Sequence, residues 1–113
     1  MHLIYIAGPF RGSNAWKVEQ NIRIAEEAAL TIAGWGNAAP LCPHSMYRYF
    51  NGTVTDDYWL RATTKLLERC DAIYLLPLWH RSEGSKAEHE YAKILHLPVF
   101  KTLQELEQWV HRV

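Results

Sequence analysis

The chain has 113 residues, enough for one domain, and its 49% hydrophobic and 21% charged residues are ordinary for a globular protein. Twelve basic and twelve acidic residues cancel, which argues against a general attraction to nucleic acid or to an anionic membrane. Two cysteines without C-x-x-C spacing and six scattered histidines argue against a disulfide scaffold and against a metal site. No apolar run has the length of a membrane span or the pattern of a secretory leader, so we expect a cytoplasmic protein.

The first part of the chain predicts a strand followed by a long helix. Residues 2–7 (HLIYIA) form a short apolar run closed by glycine and proline, which is typical of a buried strand. Apolar residues then recur at spacings of three and four over residues 15–33, which predicts a helix. Its N-cap is expected at Ser13 or Asn14, and its end at Gly34.

Strands and helices continue to alternate along the rest of the chain. The expected segments are a strand over 37–41, an irregular segment with room for a short helix over 44–57, a helix over 58–69, a strand over 71–77, a helix over 86–95 and a strand over 98–100. Thr102 and Glu105 predict a capping box that opens a terminal helix. This order predicts an α/β fold with one domain over residues 1–113. We expect a flavodoxin-like or Rossmann-like three-layer α/β/α sandwich with a parallel sheet of four to five strands.

Glu88 is the carboxylate whose position points most clearly to chemistry. It follows a predicted strand and heads an apolar helical stripe of Tyr91, Ala92 and Leu95. Ligands bind beyond the carboxyl ends of strands in such sheets, and the positive end of the helix dipole is expected to favour an ionised carboxylate there. Glu90, in contrast, has lysines four residues before and three residues after it, with which it can pair on a solvated face. The alternative is that Glu88 only hydrogen-bonds the backbone in the first turn.

The turn after the first strand is a candidate anion site. Gly8, Gly12 and Ser13 allow backbone N–H groups to approach a phosphate near a helix N-terminus, and Arg11 adds a planar guanidinium. The turn matches neither the G-x-G-x-x-G nor the P-loop pattern, so it does not indicate a dinucleotide or a nucleoside triphosphate. A plain turn with a solvated Arg11 is the alternative. Because this turn and Glu88 are both expected at the carboxyl edge of the sheet, they can converge on one ligand.

Two motifs in the chain match those of a known superfamily. The first is IYIAGPFRG (residues 4–12), and the second is SEGSKAE (residues 82–88), followed by Ala92 and by LPV at residues 97–99. In order and spacing these segments resemble the nucleoside 2-deoxyribosyltransferase-like superfamily. The chain is most similar there to the 2′-deoxynucleoside 5′-phosphate N-hydrolases and to small phage and bacterial proteins of the same type. The resemblance runs from the first strand to the last.

The resemblance implies a role for individual residues. Glu88 falls on the nucleophile that attacks the anomeric carbon and displaces the base, and Tyr5 falls on a tyrosine that orients this carboxylate. The residues that fall on the phosphate-binding and substrate-binding turns are Gly8, Arg11, Gly12, Ser82, Gly84 and Ser85. The implied ligand is a small nucleotide or nucleoside, with no metal and no cofactor. Members of the superfamily commonly form dimers that share their sites, so a homodimer is expected.

The chain departs from the hydrolases at the residue for the second acid. Their aspartate stands eight residues before the Ala-Asp that opens the third strand; here that position is Thr63, eight before Asp71. Asp56 and Asp57 lie nearby at a different spacing, and His44 follows the second strand. All three are candidate acids, although a histidine at this position is more often structural.

Several functions therefore compete at this stage. The first is hydrolysis of a nucleoside 5′-monophosphate, because Arg11 favours a phosphorylated substrate. A nucleoside 2-deoxyribosyltransferase is a close alternative. The others are a nucleotide-binding module without turnover and a regulatory protein of a phage or prophage. Fold analogy does not choose among them.

Overall fold

The structure, a computed structural model, describes residues 1–50 and 52–112. In chain order its elements are β1 (His2–Ala7), α1 (Ala15–Gly34), β2 (Ala38–Leu41), α2 (Pro43–Met46), α3 (Asp56–Leu67), β3 (Ala72–Leu75), α4 (Glu83–Ile94), β4 (Val99–Phe100) and α5 (Leu103–Arg112). A 3₁₀ turn over Trp79–Arg81 joins β3 to α4. Asn51, in the predicted irregular segment, and Val113, at the end of the predicted domain, lie outside the described residues.

The strands form a parallel sheet, as the sequence predicts. Across the described residues four strands pair in the order β2-β1-β3-β4, and each neighbouring pair is parallel. The chain leaves β1 toward one edge of the sheet and leaves β3 toward the other, so the direction of winding reverses between these two central strands. Such a reversal opens a crevice beyond the carboxyl ends of the strands.

Helices cover both faces of the sheet, which confirms the predicted α/β sandwich. On one face α1 and α5 pack against Ile4 and Ile6 of β1. On the other face α3 and α4 pack against Tyr5 and Ala7. The apolar side chains of β1 therefore point alternately into two cores. Because both faces are covered, both central strands are almost wholly apolar.

Side-chain caps set the first residues of three helices. Asn14, Thr55 and Ser82 each accept a hydrogen bond from the backbone N–H three residues later, at 2.9, 3.1 and 3.2 Å. Asn14 is thus the cap among the two candidates. The expected starts of α3 at residue 58 and of α4 at residue 86 are wrong by two and three residues, because Thr55 and Ser82 cap helices that begin at Asp56 and Glu83.

The end of α1 also differs from the prediction. Gly34 is still helical, and the residue with the left-handed backbone is Gly36, at φ 86°. The N–H of Gly36 donates to the carbonyl oxygen of Ala33, which closes the last turn. At the other end of the chain, Thr102 and Glu105 hydrogen-bond each other at the start of α5, as predicted.

An ionic network fixes the segment between β2 and α3 against α1. Arg48 donates to both carboxylate oxygens of Glu19, at 2.7 and 2.9 Å, and to Glu26 at 2.7 Å. Ser45 in α2 donates to the same Glu26 at 2.7 Å. The network holds α2, and with it one wall of the crevice, in place. In the described residues no helix has the length and hydropathy needed to cross a membrane.

Candidate functional site

A cavity of about 570 Å³ occupies the crevice at the carboxyl edge of the sheet. Four segments line it: the turn after β1, the start of α2, the inner side of α3, and the start of α4 with the residues just before it. This volume lies within the range of small-molecule sites. The turn after β1 and Glu88 both line it, so they converge as the sequence predicts.

Glu88 and Tyr5 form the centre of the site. Tyr5 is fully buried in β1, and its hydroxyl donates a hydrogen bond to Oε2 of Glu88 in α4. Glu88 is half-buried because its side chain reaches the cavity. Among the described residues no cation pairs with this carboxylate, whereas Glu90 pairs with Lys93 at 3.0 Å. The sequence-based distinction between the two glutamates therefore agrees with the geometry.

Burial shifts the protonation of this pair. Desolvation raises the pKa of Glu88 to about 7, and the hydrogen bond from Tyr5 offsets part of that rise. The pKa of Tyr5 is raised well above its ordinary value by burial and by the neighbouring carboxylate. The expectation that the helix dipole favours the ionised form of Glu88 is therefore wrong. Because α4 begins at Glu83, Glu88 is its sixth residue and lies in the second turn, where the dipole has weakened.

The N-terminus of α4 supplies the polar end of the cavity. Ser82, Gly84 and Ser85 all line it, and the substrate-binding role that the resemblance implies for them stays a prediction. The Ser82 hydroxyl caps the helix by accepting from the N–H of Ser85. The Ser85 hydroxyl is buried and has no hydrogen-bond partner in the described residues. An unpaired buried hydroxyl beside a cavity is a group that a ligand or water can satisfy.

The turn after β1 forms a second wall, but its residues differ in role. Gly8 and Arg11 line the cavity, whereas Gly12 does not. A Cβ on Gly12 would lie 2.6 Å from the Cβ of Lys17, so Gly12 allows the turn to pack closely on α1. Asn21 fixes the turn by donating to the carbonyl oxygens of residues 10 and 11, at 3.2 and 3.1 Å. Arg11 forms an exposed ion pair with Asp56 at the start of α3. A ligand phosphate at Arg11 therefore has to compete with this carboxylate.

The candidate acids occupy three different environments. Asp56 lines the cavity, while Asp57 is turned away from it and pairs with Arg61 at 2.9 Å. His44 is buried, and its Nε2 lies 3.1 Å from the carbonyl oxygens of Gly8 and of residue 9. Because carbonyls only accept, this nitrogen carries the proton and Nδ1 is left as an acceptor. Burial lowers the pKa of His44, so a proton for a leaving group is not available there.

Thr63 also lines the cavity, in the place of the hydrolases' aspartate. Its hydroxyl donates to the carbonyl oxygen of Trp59 at 2.8 Å. Thr63 has a minor lowering effect on the pKa of Tyr5, which burial and Glu88 outweigh, so it belongs to the environment of the Tyr5–Glu88 pair. A threonine hydroxyl is too weakly acidic to replace a carboxylic acid.

Several lining residues were not predicted as site residues, and three of them offer groups that can contact a ligand. Phe10 and Trp59 form an aromatic wall, with ring centroids 5.8 Å apart, and Arg81 lies just before the cap of α4. Asp56, Trp59 and Thr63 recur at spacings of three and four, so they share one face of α3. That spacing was visible in the sequence, but nothing local showed that this face borders a cavity rather than the core.

Comparison with known protein families gives a match over most of the chain. The family described as a domain of unknown function, DUF4406, matches residues 2–101. The chain belongs to this family. The DUF4406 match runs from the first residue of β1 to one residue beyond β4, so every residue that lines the cavity falls within it. No curated protein matches the chain.

The described residues of the DUF4406 domain contain no cluster of metal-ligating side chains. In residues 1–50 and 52–112, no group of three or more His, Cys, Asp or Glu side chains is arranged to hold one. The site as described consists of one half-buried carboxylate, its buried tyrosine partner, a helix N-terminus, two arginines and an aromatic wall.

Proposed function

We propose that the protein hydrolyses the N-glycosidic bond of a nucleoside 5′-monophosphate and releases the free base, with Glu88 as the nucleophile. The observation that carries this proposal is a largely desolvated carboxylate that borders a cavity, bonded to Tyr5 and without a cationic partner among the described residues. Burial of an uncompensated carboxylate is costly, and such groups are typical of functional sites. The resemblance to nucleotide N-hydrolases assigns the nucleophile to the same residue.

The rest of the cavity fits the other parts of a nucleotide. Arg81 and the first residues of α4 line the cavity next to one another in the chain, and a guanidinium together with a helix N-terminus suits a 5′-phosphate. Arg11 joins them if it exchanges Asp56 for the phosphate. Phe10 and Trp59 offer ring faces on which a base can stack.

The reaction proceeds in two displacements. In the first, an oxygen of ionised Glu88 forms a bond to the anomeric carbon while the bond to the base nitrogen breaks. In the second, a water oxygen bonds to the anomeric carbon and the ester bond to Glu88 breaks, its electron pair returning to the carboxylate. The proton that the water loses balances the proton that the departed base anion takes up from solvent. Tyr5 acts as a positioning residue because its hydrogen bond holds the carboxylate in one orientation.

One observation favours a second function, a nucleotide-binding module without turnover. Thr63 stands where the hydrolases have an acidic residue, and its hydroxyl is bonded to the backbone of its own helix. Without a proton donor, a site of this shape can retain its ligand without cleaving it. Sugar transfer to a second base, a homodimer with a shared site, a phage or prophage regulatory role and a cytoplasmic location stay predictions.

Release of free base, measured by chromatography, tests the proposal. Purified protein is incubated with ribonucleosides and deoxyribonucleosides and with their 5′-monophosphates. We expect base release from a monophosphate by the wild type, and loss of at least about 1,000-fold in kcat for Glu88→Gln, because a neutral amide is a far weaker nucleophile than a carboxylate. Glu90→Gln is the matched control, since Glu90 is exposed on the same helix and paired with Lys93. Binding of nucleotide without release of base supports the module instead.

A further inference from the structure

The cavity contains no suitably acidic proton donor for a departing base among the side chains that the structure describes. Its carboxylates are Asp56, Glu83 and Glu88. Glu88 is the proposed nucleophile. Glu83 is 91% exposed and pairs with Lys86 at 2.9 Å, and Asp56 is 82% exposed and pairs with Arg11. Both are solvated and each already has a cationic partner, so neither is a buried acid aimed at the ligand.

The neutral donors that line the cavity do not supply an acid either: two are committed elsewhere, and the unpaired Ser85 hydroxyl, an aliphatic alcohol, is too weakly acidic. The Nε2–H of His44 points to two backbone carbonyl oxygens, and the hydroxyl of Thr63 donates to the carbonyl oxygen of Trp59. A neutral purine or pyrimidine leaves as an anion unless it is protonated, so such a base needs an acid. A base that already carries a positive charge leaves as a neutral molecule and needs none.

Resting on the proposed function, we propose that the substrate is a nucleoside 5′-monophosphate whose base is cationic, such as an N-ribosyl pyridinium or an N7-alkylated purine. The charges at the cavity fit such a ligand. Arg11 and Asp56 pair with each other in the free protein, and both line the cavity. A ligand phosphate that takes Arg11 leaves Asp56 without its cation. A cationic ring in the same ligand then takes the place of Arg11 as the positive partner of Asp56, whereas a neutral base does not.

The aromatic wall lies beside this carboxylate. Trp59 is three residues after Asp56 on the same face of α3, and its ring centroid is 5.8 Å from that of Phe10. Aromatic faces attract cations through their quadrupole, and a planar cationic ring gains stacking as well. Asp56, Trp59 and Phe10 together therefore favour a flat cation over a flat neutral ring.

The step balances without an added acid. Glu88 oxygen bonds to the anomeric carbon, the carbon–nitrogen bond breaks, and its electron pair neutralises the positive ring. Water then bonds to the same carbon, the bond to Glu88 breaks with its electron pair returning to the carboxylate, and one proton passes to solvent. The sum is a cationic nucleotide and water giving a neutral base, a sugar phosphate and one proton.

Matched nucleotides and matched variants test this proposal. The probes are guanosine 5′-monophosphate, its N7-methyl derivative and nicotinamide mononucleotide. We expect kcat/KM for at least one cationic nucleotide to exceed that for guanosine 5′-monophosphate by about 100-fold or more. This is the usual contribution of a general acid, which a neutral base needs and the cavity does not supply. Which cationic probe is cleaved tells a pyridinium substrate from an alkylated purine.

Methylation at N7 weakens the glycosidic bond even without an enzyme, so faster cleavage of that nucleotide is not decisive. Variants of the protein therefore test whether the cavity itself prefers a cationic base. Asp56→Asn is expected to lower kcat/KM for the cleaved cationic nucleotide about tenfold and that for the neutral one much less. Asp57 is the next residue in the chain and lies outside the cavity, so Asp57→Asn should leave kcat/KM for both nucleotides unchanged. The proposal is overturned if Asp56→Asn lowers kcat/KM equally for both nucleotides or for neither. It is also overturned if the wild type cleaves guanosine 5′-monophosphate faster than both cationic nucleotides. These outcomes leave the proposed N-glycosidase activity itself intact. No base release from any nucleotide overturns the proposed function itself.

Discussion

At the scale of single residues, the candidate site is centred on one hydrogen bond between two side chains that are far apart in sequence. Tyr5 and Glu88 are 83 positions apart, yet the hydroxyl of one donates to the carboxylate of the other. Burial keeps the pKa of Glu88 near 7, and the Tyr5 hydroxyl holds it below the value that burial alone would produce. A carboxylate of this kind is divided between its two protonation states near neutral pH.

This pair predicts how activity depends on pH. In the proposed mechanism the ionised carboxylate attacks, so kcat/KM should rise with pH to a plateau, with a midpoint at about 7. Tyr5→Phe removes the hydrogen bond that lowers the pKa of Glu88, so its midpoint should move to higher pH. Tyr74→Phe is the control, because Tyr74 lies in the neighbouring strand and packs in the opposite core. A midpoint for Tyr5→Phe that is unchanged or lower contradicts the role assigned to Tyr5.

At the scale of elements, the site depends on how closely β1 and β3 approach at their carboxyl ends. Gly8 follows β1 directly, and a Cβ at this position would lie 2.7 Å from the Cβ of Leu76, just after β3. The absence of a side chain lets the turn of β1 settle against the neighbouring strand. That close approach brings Phe10 and Arg11 to the cavity.

Two glycine substitutions with opposite expected signs test this packing. Gly8→Ala should destabilise the protein by about 1–3 kcal/mol, because its new methyl group overlaps a β-carbon that cannot swing away. Gly34→Ala should stabilise it by about 0.4–1 kcal/mol, because this helical glycine has open space around it and alanine restricts the unfolded chain. Urea unfolding measures both free energies. A neutral Gly8→Ala contradicts the close approach.

At the scale of the whole molecule, the buried carboxylate makes stability depend on pH. The folded protein binds the Glu88 proton more tightly than the unfolded chain, whose carboxyl has an ordinary pKa of 4.5. The free energy of unfolding therefore falls as pH rises from 4.5 to about 7, and the full cost of burying the charge is present above that range.

Glu88→Gln should remove this cost. Its gain in unfolding free energy over the wild type should be larger at about pH 8 than at about pH 4, by up to roughly 3 kcal/mol. The amide oxygen can still accept the hydrogen bond from Tyr5, so the variant keeps the packing of the site. Glu90→Gln should show no such increase, since its side chain is 67% exposed. An equal gain for Glu88→Gln at both pH values would show that the carboxylate is not buried.

The sequence by itself determined the elements and their class. Apolar runs and helical spacing located each strand and long helix, and their alternation predicted the parallel sheet. The spacing around Glu88 and Glu90 separated an inward carboxylate from a solvated one. These predictions succeeded because backbone periodicity and local pairing are properties of neighbouring residues.

Only the tertiary structure decided which of the candidate residues meet. The order β2-β1-β3-β4 places the turn of β1 beside the start of α4, and packing of α3 on the same face brings Asp56 to Arg11 and turns Asp57 away. The protonation of Glu88 was also decided there, because desolvation depends on what the rest of the chain packs around it. Contacts between residues 45 or 83 positions apart depend on the topology of the sheet, which local spacing does not encode.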